Sequence, residues 1–254
     1  MKEFDYHWPG EPNFHYELLC SRSQREVVKQ RALDLAIASH GKSMVIFLDK
    51  TARPLYQLLR VSYPIIYPKE SLPTIRFANI GTEKGWSIRS HLKKVLGESY
   101  GGDLVENLEE IRDINDLLCI FNRENVDYLV KTFKPSKAGE KRLIVDDLID
   151  SGATKAIAIR ILSCVDPQSR YKFFEFLKSD KDRKPFCSGT IAPFFPWHST
   201  YTLVHDQTVD GLLDENSFKV QPERDTWRVE RSRLVRDELR QLCEELKSEH
   251  HPAR

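Results

Sequence analysis

Arg142-Leu143-Ile144-Val145-Asp146-Asp147-Leu148-Ile149-Asp150-Ser151-Gly152-Ala153-Thr154 is the stretch around which the chain is organised. Three apolar residues run straight into two carboxylates, the pattern of a buried parallel strand that surfaces at its C-terminal end. Asp150 to Thr154 is small and turn-forming, and Lys155-Ala156-Ile157-Ala158-Ile159-Arg160-Ile161-Leu162 has helix-like content. Strand, acidic tip, small-residue loop and helix N-terminus together suit a molecule carrying both hydroxyls and a phosphate. Backbone N–H groups of the loop and first helical turn can bind phosphate oxygens, aided by the helix dipole. The two carboxylates can accept hydrogen bonds from sugar hydroxyls or hold a hydrated divalent cation.

A second unit of the same design lies upstream. Met44-Val45-Ile46-Phe47-Leu48 is fully apolar and ends in Asp49-Lys50-Thr51-Ala52-Arg53, and Pro54 suits the first turn of a following helix. That helix is expected from Leu55 to about Val61, ending before Pro64. Ahead of it, Ser23-Gln24-Arg25-Glu26 has a capping-box pattern and starts a helix whose Val28, Ala32, Leu35 and Ala36 share one face, with Gly41 as its stop. Thr74–Ile80 predicts a third strand, and Gly81-Thr82-Glu83-Lys84-Gly85-Trp86-Ser87 a mobile loop with a charged tip. Residues 88–131 have mostly helical composition, broken near Gly101-Gly102, with an apolar stripe at Leu104, Leu108, Ile111 and Leu117. Tyr171–Leu177 is rich in strand formers, Ser188–Trp197 reads as an edge strand with an aromatic loop, and Val235, Leu239, Leu242 and Leu246 stripe a closing helix. Alternating apolar strands and helices predict an α/β fold: an open, mainly parallel twisted sheet with helices on both faces, a helical insertion and a C-terminal helix. In such sheets ligands bind beyond the C-terminal strand ends, where both acidic loops fall.

The expected organisation is one domain over residues 1–254. An N-terminal arm occupies 1–22, a lid and helical insertion 81–140, and a hood-like region with the closing helix 180–254. Lys+Arg of 39 against Asp+Glu of 38 leaves a net charge of +1, so no global field argues for nucleic acid or an anionic membrane. Apolar runs are strand-length and no basic-then-apolar leader opens the chain, so a cytoplasmic protein is expected. Five scattered cysteines without a C-x-x-C pair read as free thiols, and a zinc site is not expected. His198 and His205 show no metal spacing, and the arginines of 224–236 alternate with acids as on a solvated helical face. Trp86, Trp197 and Trp227 read as packing or interface residues.

The stretch Val145 to Thr154 resembles the phosphoribosyl diphosphate (PRPP) loop of type I phosphoribosyltransferases. That pattern is an apolar strand, two acids, two mostly apolar positions, a variable position, Ser or Thr, Gly, any residue, then Thr. The resemblance covers roughly residues 24–178. It implies that Asp146 and Asp147 hold the ribose hydroxyls and a hydrated Mg²⁺, while Asp150, Ser151, Gly152, Ala153 and Thr154 wrap the 5′-phosphate. Asp49, Lys50, Thr51, Ala52 and Arg53 take the position of the family's pyrophosphate loop, and Lys84 that of a lid residue. An aspartate at the position of Asp150 assists proton transfer in purine-type members, which favours a 6-oxopurine acceptor and places Asp150 with Asp146 and Asp147 in the catalytic set. Lys178 and Phe194 stand where purine enzymes carry a base-binding lysine and aromatic. The implied partners are PRPP and a nucleobase-like small molecule, and the insertion leaves room for a homodimer or a protein partner.

Three alternatives stand beside this reading. The fold can serve as a PRPP or nucleotide sensor or effector without turnover. Val45–Thr51 resembles the nucleophile motif of haloacid-dehalogenase-type phosphohydrolases, with Asp49 as nucleophile and Asp146-Asp147 as the magnesium pair. However, Ala52-Arg53-Pro54 departs from that motif, which also has no use for Ser151–Thr154. Leu143–Asp147 resembles the first strand of a receiver domain, but no phospho-accepting Asp followed by the required Lys comes later.

Overall fold

Two apolar runs become the central strands of a parallel sheet, as their lack of polar alternation predicts. The computed structural model describes residues 14–48, 52–133, 137–146, 152–177 and 226–250, without the side chains of 82, 83 and 226–233. Its strands are β1 (Met44–Leu48), β2 (Thr74–Ala78), β3 (Lys141–Asp146) and β4 (Arg170–Glu175). They form a four-stranded sheet in the order β2-β1-β3-β4, with every neighbouring pair parallel. Leu48 pairs with Ala78, Phe47 with Val145 and Asp146 with Glu175, so all four C-terminal ends lie along one edge. β1 is buried throughout and β3 from Arg142 onward, whereas the outer strands β2 and β4 are partly exposed.

Alternation along the central strands divides the core in two. Val45, Phe47, Leu143 and Val145 face α1 (Arg22–Ser39), α2 (Leu55–Ile66) and α7 (Thr226–His250). Met44, Ile46, Leu48 and Ile144 face α3 (Thr82–Leu96), α4 (Ile114–Ile120), α5 (Arg123–Phe133) and α6 (Ala153–Val165). Helices therefore cover both faces of an α/β sheet. The chain between β2 and β3 joins the second core directly, through Leu104, Leu108, Ile111, Leu117, Val126 and Leu129. The closing stripe Val235, Leu239, Leu242 and Leu246 is buried in the first. No helix among the described residues is long and apolar enough to cross a membrane.

Three local expectations are corrected. The first helix is capped by Ser21, not Ser23: the Ser21 hydroxyl accepts from Gln24 N and the Gln24 side chain accepts from Ser21 N, so the box closes two residues earlier. α2 runs on to Ile66 with Pro64 inside it. Burial of Leu55, Leu58, Leu59 and Tyr63 holds the helix, and Pro64 is exposed, so the Arg60 carbonyl that loses its N–H partner lies on the wet side. The loop expected at Gly81–Ser87 is the start of α3, and Lys84, expected at a mobile lid tip, has no exposed surface. Gly85 explains the change: a Cβ there would lie 2.7 Å from Leu104 Cδ2 and 3.0 Å from Ile157 Cδ1, so its bare backbone is packed against the insertion and α6.

Candidate functional site

The C-terminal edge of the sheet carries the described members of the site expected from the sequence. β3 delivers Asp146 there, 6% exposed, and α6 starts at Ala153. The helix is preceded by Gly152 in the left-handed conformation (φ +78°, ψ −4°), which favours glycine at this position. Gly152 has no side chain with which to cap the helix, so it supplies no competitor for the first-turn N–H groups of α6. Ala156 N donates back to the Gly152 carbonyl at 3.0 Å, anchoring the turn.

The upstream loop returns to the same edge. Ala52 is buried and its N–H donates to the Leu48 carbonyl at 3.2 Å. Arg53 follows, 6% exposed, with its guanidinium over the Phe77 ring at 4.8 Å from the centroid. Asn79, just past β2, and Lys84, in the first turn of α3, are also buried at this edge. The fold thus brings together Ala52, Arg53, Lys84, Asp146, Gly152, Ala153 and Thr154. Asp49, Lys50, Thr51, Asp147, Asp150, Ser151, Lys178 and Phe194 lie outside the described residues, as do His198 and His205. Trp86 is 72% exposed on α3 and is not a packing residue. Among the described residues no group of three His, Cys, Asp or Glu side chains could cage a metal.

Two buried charge clusters escaped the sequence reading. At the N-terminal edge of the sheet, Arg142 is fully buried; it donates to the Phe133 carbonyl (2.6 Å) and pairs with Asp166 (3.0 Å) and Glu140 (3.4 Å). The second cluster joins the chain's two ends. Glu238 on α7 is 1% exposed and accepts from three consecutive amides, Glu17 N (2.6 Å), Leu18 N (2.7 Å) and Leu19 N (2.9 Å). Burial pushes its carboxyl above the ordinary range, and the amides pull it back. Beside it, Tyr16 donates to Glu245 (2.7 Å), and Lys29 bridges Glu245 (2.9 Å) and Glu249 (2.6 Å). Residues 16–19 of the expected arm are thereby docked on α7. A signal for Glu238 existed: it sits three residues after Val235 and four before Leu242, an acid on the apolar stripe.

The described thiols are unpaired. Burial pushes Cys164 up to about 11 and Cys243 up to about 12, so neither is poised as a nucleophile. Comparison of the chain with protein-family models, with curated proteins and with solved structures finds no match.

Proposed function

We propose that this chain is a type I phosphoribosyltransferase-like protein. It binds PRPP with Mg²⁺ and transfers phosphoribose to a nitrogen base, a purine by preference, with release of pyrophosphate. The observation that carries the reading is the β3–α6 junction, where a buried carboxylate at a strand tip leads into a left-handed glycine that opens a helix N-terminus. Its position between the C-terminal ends of β1 and β4 in a parallel sheet is where ligands of such folds are held.

The proposed roles are those that the resemblance of Val145 to Thr154 to the PRPP loop implies. Magnesium takes one or two carboxylates, keeps several waters and completes its shell with substrate phosphate oxygens, a donor set that Asp146 and Asp147 fit. It would neutralise charge on the departing pyrophosphate. Ser151 to Thr154 and the α6 amides bind the 5′-phosphate. The 49–53 loop holds the pyrophosphate, which leaves as the C–O bond at the anomeric carbon breaks and the base nitrogen bonds to that carbon. Charge develops on the leaving group in this step, so fixed donors and exclusion of water speed it. Asp150 faces the base and takes its proton.

Calorimetry of PRPP with and without Mg²⁺, followed by turnover against a panel of bases, tests the proposal. Magnesium-dependent binding abolished by Asp146→Asn with Asp147→Asn is expected. Binding without consumption of any base makes the chain a sensor. Absence of binding, together with phosphomonoester hydrolysis lost in Asp49→Asn, makes it a phosphohydrolase.

A further inference from the structure

α3 turns one face to the core and offers the other to solvent. Ile88 and Leu92 are buried, whereas Trp86, Arg89, Ser90 and Lys93, recurring at i, i+3, i+4 and i+7, are exposed, and so is Lys94. The helix dipole accounts for Lys93 and Lys94 in the last turn. It accounts for neither Arg89 nor a tryptophan that is 72% exposed. The loop that follows carries the opposite sign. Between the buried Leu104, Leu108 and Ile111 it exposes Asp103, Val105, Glu106 and Glu109. Gly85 packs against Leu104, so their sequence neighbours Trp86 and Val105 lie in one region of the surface. Arg160 on α6 donates to the Leu108 carbonyl at 2.9 Å and holds the loop there. Among the described residues Arg89, Lys93 and Lys94 make no ion pair, and neither do Asp103, Glu106 and Glu109. Glu110, by contrast, is paired with Arg112 at 3.0 Å. Helix and loop pack on the same core, so both charged strips belong to one side of the sheet, unspent within the chain.

We propose that this surface docks a second copy of the chain, in a twofold dimer that lays the basic row of each α3 along the acidic loop of the other. A twofold contact is self-complementary: what one copy offers, the other must receive. Two neighbouring strips of opposite sign on a rigid face meet that requirement, once in each direction. A polyanion would be drawn to the basic row and repelled by the loop beside it, so the surface favours a partner that carries both signs. Trp86 and Val105 add exposed apolar area, and Trp and Arg are the residues enriched among the anchors of such interfaces. The dimer needs no ligand and stands apart from the phosphoribosyl reading.

Sedimentation equilibrium of the full chain tests the dimer. The native protein is expected to associate with a dissociation constant that rises between about 0.1 M and about 1 M salt, as the screening length falls from about 10 Å to about 3 Å. Arg89→Glu with Lys93→Glu, and separately Glu106→Lys with Glu109→Lys, should each be monomeric, because each sets like charge against like. An equimolar mixture of the two should restore the dimer, since both of its contacts again join opposite signs. Trp86→Ala should weaken the native dimer about tenfold or more. A monomeric native protein, reversed variants that still dimerise, or a mixture that stays monomeric overturns the proposal. Should a reversed chain fail to fold, Arg89→Gln with Lys93→Gln takes its place and must still weaken the dimer; unchanged association overturns the proposal. A native monomer that binds a single-stranded oligonucleotide, and loses it in Arg89→Glu with Lys93→Glu, overturns it in favour of a polyanion site.

Discussion

The two ends of β3 carry charge on the same face of the sheet and use it differently. At the N-terminal end Arg142 is closed in by the protein, with a carbonyl at 2.6 Å, Asp166 at 3.0 Å and Glu140 at 3.4 Å. At the C-terminal end Asp146 closes the strand, on the edge where a left-handed glycine opens α6. The first arrangement balances its charge inside the fold, although Arg142 Nε and both Asp166 carboxylate oxygens make no hydrogen bond there, and the second lies on the edge where parallel sheets hold ligands. Buried charge alone does not mark a site. What distinguishes the C-terminal end is charge next to backbone donors at the edge where the parallel strands open.

The largest effect expected from breaking this contrast is at the closed end. Arg142→Met strands Asp166, which is 1% exposed, and should cost about 3–5 kcal/mol in urea unfolding, as removal of one partner of a buried pair does. PRPP affinity per folded molecule should stay unchanged, whereas Asp146→Asn should weaken it. A smaller effect belongs to the open end. Gly152→Ala forces a side chain into φ +78° and should cost about 1–2 kcal/mol in thermal unfolding. Nothing lies within 4 Å of the added Cβ, so the loss comes from backbone strain and not from a clash. The same variant should weaken PRPP binding in calorimetry, the reverse of the Arg142→Met pattern.

The smallest effect sharpens the comparison at a third place. Glu238 is a closed carboxylate whose partners are amides instead of a cation. Its folded-state carboxyl is raised above the ordinary 4.5, by burial first. A raised acid favours the folded protein most below its unfolded value, and that contribution is lost as pH rises through the folded value. Urea midpoints of the native protein should therefore fall across that window. Glu238→Gln, neutral at every pH and still an acceptor, should flatten the fall. A profile unchanged by the substitution would show that Glu238 does not control it.

Much of the sheet was legible because its signals are local. Met44–Leu48 and Leu143–Val145 are uninterrupted apolar runs, and a strand buried on both faces requires no more than that. The stripe at Val235, Leu239, Leu242 and Leu246 declared its buried face by helical spacing. The failures were at places where a local rule met a distant partner. Pro64 should end a helix, but the buried face of α2 carries the helix past it. Glycines around a charged residue should make a loop, but the chain is helical from Thr82 because Gly85 fits against Leu104 and Ile157.

The sequence by itself determined the alternation of apolar strands and helices, the acidic tip at Asp146 and the turn chemistry at Gly152. Each depends on neighbours a few residues away along the chain. Only the tertiary structure decided the strand order, the joining of residues 16–19 to Glu238, and the burial of Lys84 on the face that carries Asp146. Those features join residues about 30 to about 220 positions apart, and no local pattern encodes them. They arise because the only low-energy place for a buried charge is beside a complementary group, wherever in the chain that group lies.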